Sequence, residues 1–296
     1  METTHKIASP APISKLLLPK AALANCIFGA FVRDTRGCNL TATQRFNHFA
    51  SSPLCAVSWQ FEGQIHLLES SDRLSNPQAS PVLPKLTFSG PYQTPQTSWN
   101  AGDVNAMILA FYPDAMSTLS GIAIDQYINR TVAAKEVLSG ELLELFTNVL
   151  TTGNPDDGFE MIEQVLLPLW RSRRTDTPIG GFLVSDWCRS LAVRAALSEA
   201  GKSTRQMERR FRAWTGQSRG KLDAYAKSEE AFKHALAAKQ TGRVSLADMS
   251  AELGYSDQSH MGRNIRQITG FSPAEFLKRY DEDEAFWSFR LLGERF

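Results

Sequence analysis

Cysteine is scarce in this chain. Its 296 residues hold four, at positions 26, 38, 55 and 188, and no two share the spacing of a metal site. Scattered in this way, they read as reduced thiols packed as small hydrophobes in a cytoplasmic protein. Histidine is equally thin. His5, His48 and His66 stand apart in the first half, with no His-x-His pair and no Glu placed as a third ligand. That half also lacks a Gly-x-Ser-x-Gly elbow and a phosphate-binding glycine loop, which leaves acyl and phosphoryl transfer there without a motif. Glu62, Asp103 and Asp114 are isolated acids. No catalytic residue, metal or cofactor is therefore expected. Long apolar runs are also absent. The stretch from Ile13 to Leu23 is interrupted by Lys15, Pro19 and Lys20, well short of the roughly 18 residues a bilayer requires, and it lacks signal-peptide organisation. No membrane partner is expected.

Net charge is nearly absent too, at +1, but this balance hides an asymmetry. Residues 1–181 carry 13 Lys/Arg against 16 Asp/Glu, whereas residues 189–280 carry 17 against 9. Positive charge is concentrated in the last third, which points to an anionic partner for that part.

That part also carries the clearest local pattern. In 245–276, Ser245 and Asp248 form a capping box, and Leu246, Met249, Ser250 and Leu253 share one helical face. Gly254 stops the helix, and Ser256 or Asp257 caps the next. This second helix buries Met261 and Ile265 and ends at Gly270, and Ser272-Pro273-Ala274-Glu275 opens a third. A copy lies upstream. Setting Gly216 on Gly270 places Met207 on Met261, Arg209 on Arg263, Phe211 on Ile265 and Arg212 on Arg266, an offset of 54 throughout. Leu191, Arg194, Ala195 and Leu197 space its first helix, Gly201 ends it, and Ser203 to Gln206 caps its second, which buries Met207, Phe211 and Trp214. Between the copies, Leu222, Tyr225, Phe232 and Leu236 mark an amphipathic connecting helix, which over 222–240 is roughly 28 Å long. Neighbouring major grooves lie about 34 Å apart on one face of B-DNA, so such a helix can serve two readers.

The run GYSDQSHMGRNIRQITGFSP resembles the second helix-turn-helix of the AraC/XylS transcription regulators, whose usual form is close to GFSDQSHFSRxFKxxxGxSP. The matches are Gly254, Ser256, Asp257, Gln258, Ser259, His260, Arg263, Gly270, Ser272 and Pro273. Met261 and Ile265 replace the more usual aromatics, Leu197 stands where the first unit usually has Ala, and Arg219 replaces the usual Pro after Ser218. The resemblance implies a sequence-specific DNA-binding transcription regulator with promoter DNA and RNA polymerase as partners. It also implies an N-terminal barrel-like module that senses a small molecule, forms a homodimer, or does both. The alternative is an enzyme or DNA-repair protein with an appended domain of this type, but the cysteine pattern of the related repair methyltransferases is missing.

Within the two units, base reading calls for forked side chains on exposed early turns. Arg205, Gln206 and Arg209 supply them in the first unit, and Gln258, Ser259, His260 and Arg263 in the second. Lys202, Arg210, Arg212 and Arg266 lie nearer the helix edges and are the phosphate candidates. Glu208 either accepts from cytosine or pairs with Arg212.

The expected architecture is multidomain. Residues 1–124 form a β-rich, barrel-like α+β regulatory domain, with strands at Cys26–Val32, Leu54–Phe61, Ile65–Leu68, Leu86–Phe88 and Met107–Phe111 and a hairpin turn at Phe61–Ile65. Trp59, Trp99, Phe61, Phe88, Tyr92, Phe111 and Tyr112 either line a ligand pocket or form its core. Residues 125–175 form a helical linker or dimerisation segment. Its apolar stripes run over Leu138, Leu142, Leu145, Phe146 and Val149, then Phe159, Ile162, Val165, Leu166, Leu169 and Trp170, with Gly153–Gly158 as the loop between. A hinge follows at 171–181. Residues 182–280 are an all-α domain of two helix-turn-helix units, and 281–296 are an acidic, then aromatic, tail.

Overall fold

The computed structural model describes residues 9–68, 74–174, 183–197, 203–240 and 250–295. The N-terminal half holds two antiparallel sheets. Strands β1 (Ile13–Leu17), β2 (Ile27–Asp34), β4 (Cys55–Glu62), β6 (Leu86–Ser89), β8 (Asn105–Phe111) and β9 (Thr131–Ala133) form the first, in the order β1-β2-β8-β4-β6-β9. The second is β3 (Phe46–Phe49), β7 (Gln96–Asn100) and β5 (Ile65–Leu68), in the order β3-β7-β5. Every apolar run expected to be a strand is one. The Phe61–Ile65 turn is not a hairpin, however. Gly63 turns the chain there at φ 85°, but β4 pairs with β6 and β8, while β5 crosses to the other sheet and pairs with β7. A Cβ at Gly63 would lie 2.2 Å from the Asp103 carbonyl, so the turn is pressed onto the 103–104 backbone and directs the chain between sheets.

Alternation along the central strands separates two environments. On β4, Val57 and Trp59 are fully buried against a helical layer, and Trp59 Nε1 donates to the Phe146 carbonyl at 2.7 Å. Ala56 and Ser58, on the opposite face, line a cavity together with Thr87, Ser89, Ala106 and Ala110 from the neighbouring strands. Large residues thus fill the outer face of β4, and the small ones on its inner face leave a hollow that Phe31 and Ile108 of the neighbouring strands also line.

The helical layer is α2 (Gly140–Thr152) and α3 (Pro155–Arg173). Its stripes bury Leu142, Leu145, Phe146 and Val149, and Phe159, Ile162, Leu166 and Trp170, in the same core as Val57, Trp59 and Leu109. Intrachain packing therefore uses the faces that a dimer seam would need. The loop between the helices is shorter than Gly153–Gly158. Asn154 Oδ1 accepts from Asp156 N at 2.9 Å and Pro155 occupies the first position of the helix, so helix formation starts at once. α3 also takes in Arg171–Arg173 of the expected hinge, while residues 175–182 lie outside the described residues. A helix missed in the β-rich half, α1 (Pro113–Ser120), follows β8.

The C-terminal half contains α4 (Val184–Leu197), α5 (Thr204–Thr215), α6 (Arg219–Gln240), α7 (Gln258–Thr269), α8 (Pro273–Tyr280) and α9 (Trp287–Gly293). The connecting helix α6 begins three residues before the expected Leu222, because Ser218 Oγ accepts from Lys221 N at 3.3 Å and opens it early. Its 22 residues span about 33 Å, close to one groove repeat. Residues 245–249 lie outside the described residues, and 250–252 are helical.

Candidate nucleic-acid interface

In the first unit, Leu191 and Ala195 on α4 pack with Phe211 on α5. α4 is held to α6 by Glu229, whose carboxylate accepts from Val184 N at 3.0 Å and Ser185 N at 2.9 Å, capping the helix start. Burial raises the Glu229 pKa, against the opposing pull of these N–H donors. Helix α5 starts on Ser203, whose Oγ accepts from Gln206 N at 3.4 Å. On its surface Arg205, Arg209 and Arg212 are exposed, while Gln206 and Arg210 are half-buried. Arg210 Nη1 donates to the Ala195 carbonyl at 3.0 Å, so this phosphate candidate also ties α5 to α4. Glu208 takes the second of its two expected roles, lying 3.3 Å from Arg212 Nε. Lys202 lies outside the described residues.

The second unit is capped by Asp257, whose Oδ1 accepts from His260 N at 2.7 Å. That hydrogen bond leads the causes holding its carboxyl below the usual range. Gln258, Ser259, His260, Arg263 and Arg266 are exposed, and Met261 is buried against Tyr255. His260 Nδ1 lies 3.1 Å from Ser256 Oγ, and its ring meets Tyr255 edge-on at 5.5 Å, so this reader is held in place although exposed. Among the described residues, the side chains of Arg205, Arg209, Arg263 and Arg266 are in no hydrogen bond or salt bridge, which leaves their guanidinium groups available to an outside acceptor.

The internal repeat extends to the hydrogen bonds. Thr215 Oγ1 donates to the Phe211 carbonyl at 2.7 Å, and Thr269 Oγ1 to the Ile265 carbonyl at 2.8 Å. Each hydroxyl also accepts, at 3.1 Å, the N–H two residues on, from Gln217 and Phe271. Gly216 and Gly270 then end the helices with φ of 71° and 88°. These threonines share the 54-residue offset, and the Thr-Gly pair that repeats in the sequence was the signal for them.

Both helix ends meet the N-terminal half. A Cβ at Gly216 would lie 3.1 Å from the Asp125 backbone, and one at Gly270 would lie 3.4 Å from Pro95. Asp114 on α1 receives Trp187 Nε1 at 2.9 Å and Arg194 Nη1 at 2.5 Å, which fixes the first unit. Ser51 N donates to the Ile268 carbonyl at 2.7 Å, which fixes the second. The base-reading candidates occupy the early turns of α5 and α7, away from these C-terminal contacts.

A third contact forms at His48 on β3. Arg279 Nη2 lies 3.4 Å from His48 Nε2, and Nδ1 lies 3.0 Å from Thr97 Oγ1, an arrangement that suits a neutral ring protonated on Nδ1. Burial, then Arg279, lowers the His48 pKa to about 4, against the weaker opposing effect of Asp283. A depressed histidine favours folding above its unfolded pKa and loses that contribution as pH falls toward the folded one. Between neutral pH and pH 5, wild type should therefore lose about 2 kcal/mol more stability than His48→Gln. Urea unfolding of both proteins at pH 7 and pH 5 measures the difference, and equal losses would rule this contribution out.

The cavity lined by the inner sheet faces has a volume of about 360 Å³ and reaches the C-terminal half, where Tyr225, Phe232, Ile268, Trp287 and Phe289 complete its wall. Of the seven aromatics considered for a pocket, Trp59 and Tyr92 border it. Phe88, Phe111 and Tyr112 belong to the helix-side core instead. Among the described residues, no group of three His, Cys, Asp or Glu side chains is arranged to hold a metal ion.

A family profile described as "Helix-turn-helix domain" matches residues 197–279. No curated protein matches the chain in sequence. Among solved structures, apo ToxT of Vibrio cholerae, as a point variant, is 10% identical with a TM-score of 0.36, over 84% of this chain and 96% of that one. A second structure, of ToxT from Vibrio cholerae, is 11% identical over 80% and 95% of the two chains, with a TM-score of 0.35. A third, wild-type ToxT of that organism bound to an unsaturated fatty acid, is 9% identical over 79% and 93%, at 0.33. With the profile covering both capped recognition helices and their connecting helix, residues 197–279 are a helix-turn-helix domain of the AraC type.

Proposed function

We propose that this protein is a sequence-specific DNA-binding transcription regulator without enzymatic activity, whose two helix-turn-helix units read adjacent parts of one site. The observation that carries this reading is the pair of exposed recognition helices, repeated down to their Thr-Gly caps, with Arg209 and Arg263 in equivalent places and in no ion pair among the described residues. Arg205, Gln206 and Arg209, with Gln258, Ser259, His260 and Arg263, read bases, and Lys202, Arg210, Arg212 and Arg266 hold phosphates. Binding by the full-length protein should weaken with salt by about 0.9 log units per phosphate contact for each log unit of salt concentration. Fluorescence anisotropy on duplex DNA across a salt series reads that slope, and an affinity independent of salt would end the proposal.

The N-terminal half acts in this reading as a sensor. Its cavity, lined by small and aromatic side chains of the sheets and closed by the DNA-binding half, is large enough for a small, mainly apolar effector. RNA polymerase, by the family resemblance, and a second copy of the chain are the protein partners. Sedimentation of the full-length protein at tens of micromolar should show a dimer, and a monomer at every concentration would remove that partner. Localisation in the cytoplasm goes with this role; no described helix is long and apolar enough to cross a membrane.

A further inference from the structure

The acidic-aromatic tail does not project into solvent. Residues Glu284–Phe286 form a 3-10 turn and α9 follows, packed against β1 and β3 of the N-terminal half. Several groups on β2 and β3 are completed by the tail. Arg33 on β2 is buried, and its guanidinium reaches Glu284 Oε1 at 2.5 Å. Asn47 on β3 is buried and donates to Ser98 and Asn100, leaving its Oδ1 to accept from Trp287 Nε1 at 2.8 Å. The His48 carbonyl accepts from Ser288 Oγ at 2.6 Å. A buried cation given its counter-charge by the tail, and a buried amide network completed by it, are a socket built for it.

The same segment is joined to the second reader. Phe289 packs edge-on against Phe276 of α8 at 4.9 Å, and Arg279 of α8 reaches Asp283 Oδ2 at 2.7 Å. The first unit is anchored separately, through Asp114 on α1. Each reader is therefore held to the N-terminal half by its own attachments, the second by this segment as well as by the Ser51–Ile268 bond, so their mutual placement is set there as well as by α6.

We propose that residues 284–293 are a strap that fixes the spacing at which the two readers meet DNA, with Glu284 and Trp287 as positioning residues. With the strap released from β2 and β3, the second unit would keep its fold, its base contacts and the Ser51–Ile268 bond but, held by fewer contacts, could adjust its distance from the first. Trp287, Ser288 and Phe289 also wall the cavity, so an occupant would touch the strap directly. The inference rests on the proposed two-reader function.

The test begins with a site selected by wild-type protein from a randomised duplex pool. One, two and five base pairs are then inserted between its halves, and affinities are measured at constant salt for wild type, Trp287→Ala and Glu284→Gln. Wild type should lose at least about ten-fold on a two-base-pair insertion, and the variants less than about three-fold, with similar affinity for the unaltered site. Amide hydrogen exchange should quicken at 46–49 and 287–293 in the variants but stay unchanged in α5 and α7. If Trp287→Ala loosens the whole chain, Glu284→Gln, which keeps the packing, decides the matter by the same criteria. A freed strap with unchanged spacing discrimination would overturn the proposal, as would a wild type that binds DNA yet tolerates every insertion. Wild type failing to bind any duplex would refute the DNA-binding reading itself and remove this inference with it.

Discussion

Trp59→Ala should cost about 3–5 kcal/mol, near the top of the range for a single core substitution. The side chain is fully buried between β4 and α2, meets Phe146 edge-on at 5.4 Å, and gives its indole N–H to the Phe146 carbonyl. Truncation would remove a large apolar volume and leave that carbonyl without this donor, so the transfer, cavity and hydrogen-bond losses act together. One residue earlier the outcome should reverse. Ser58 faces the hollow, where valine exchanges the hydroxyl for one methyl group and adds a second in open space, so Ser58→Val should change stability by less than about 1 kcal/mol. Chemical unfolding followed by tryptophan fluorescence, with circular dichroism as the probe for the Trp59 variant, compares the two. Equal costs would show that the inner face is as tightly packed as the outer one, and the cavity would lose its standing as an effector site.

The contrast between these neighbours also shows what the sequence made legible. Strands β2, β4 and β8 announce themselves as apolar runs because they are covered by α2 and α3 or by adjacent strands. Strands β3 (FNHF) and β7 (QTSWN) do not, since Asn47, Ser98 and Asn100 read as loop residues. In the fold these polar side chains are buried and bonded to one another, a pattern only the partner strand can reveal. The hairpin expected at Gly63 failed for a related reason. A local signal identified the turn, but which sheet received β5 depended on contacts with residues 103 and 104. Helix-turn-helix elements lie at the other extreme. Their caps, glycine stops and apolar faces act within a dozen residues, so Ser203, Asp257, Gly216 and Gly270 sit where spacing put them. The tail was opaque. Glu284 of its acidic run finds its counter-charge in Arg33, 251 residues away, and no periodicity spans that distance.

Arg209→Ala and Arg263→Ala should relax sequence preference at opposite ends of one DNA site, each costing on the order of 1–3 kcal/mol in binding if the side chain takes a base edge. The two arginines are equivalent under the 54-residue repeat, both are exposed, and neither is in a salt bridge among the described residues. Their removal should therefore leave the fold intact and act on recognition alone. A guanidinium reading guanine O6 and N7 discriminates among bases, so its loss should flatten preference at one or two positions. One that touches phosphate only would lower affinity evenly across sequences and reduce the salt slope by about one contact. Arg210→Ala is the internal comparison. Its guanidinium is bonded to the Ala195 carbonyl, so its loss should lower stability as well as affinity. Selection from a randomised duplex pool with wild type and each variant distinguishes these outcomes. If both substitutions relax the same positions, only one unit reads sequence, and the repeat would then serve as a clamp on the backbone. With α6 spanning about 33 Å, relaxed positions should instead lie about 10 base pairs apart, one turn of the duplex.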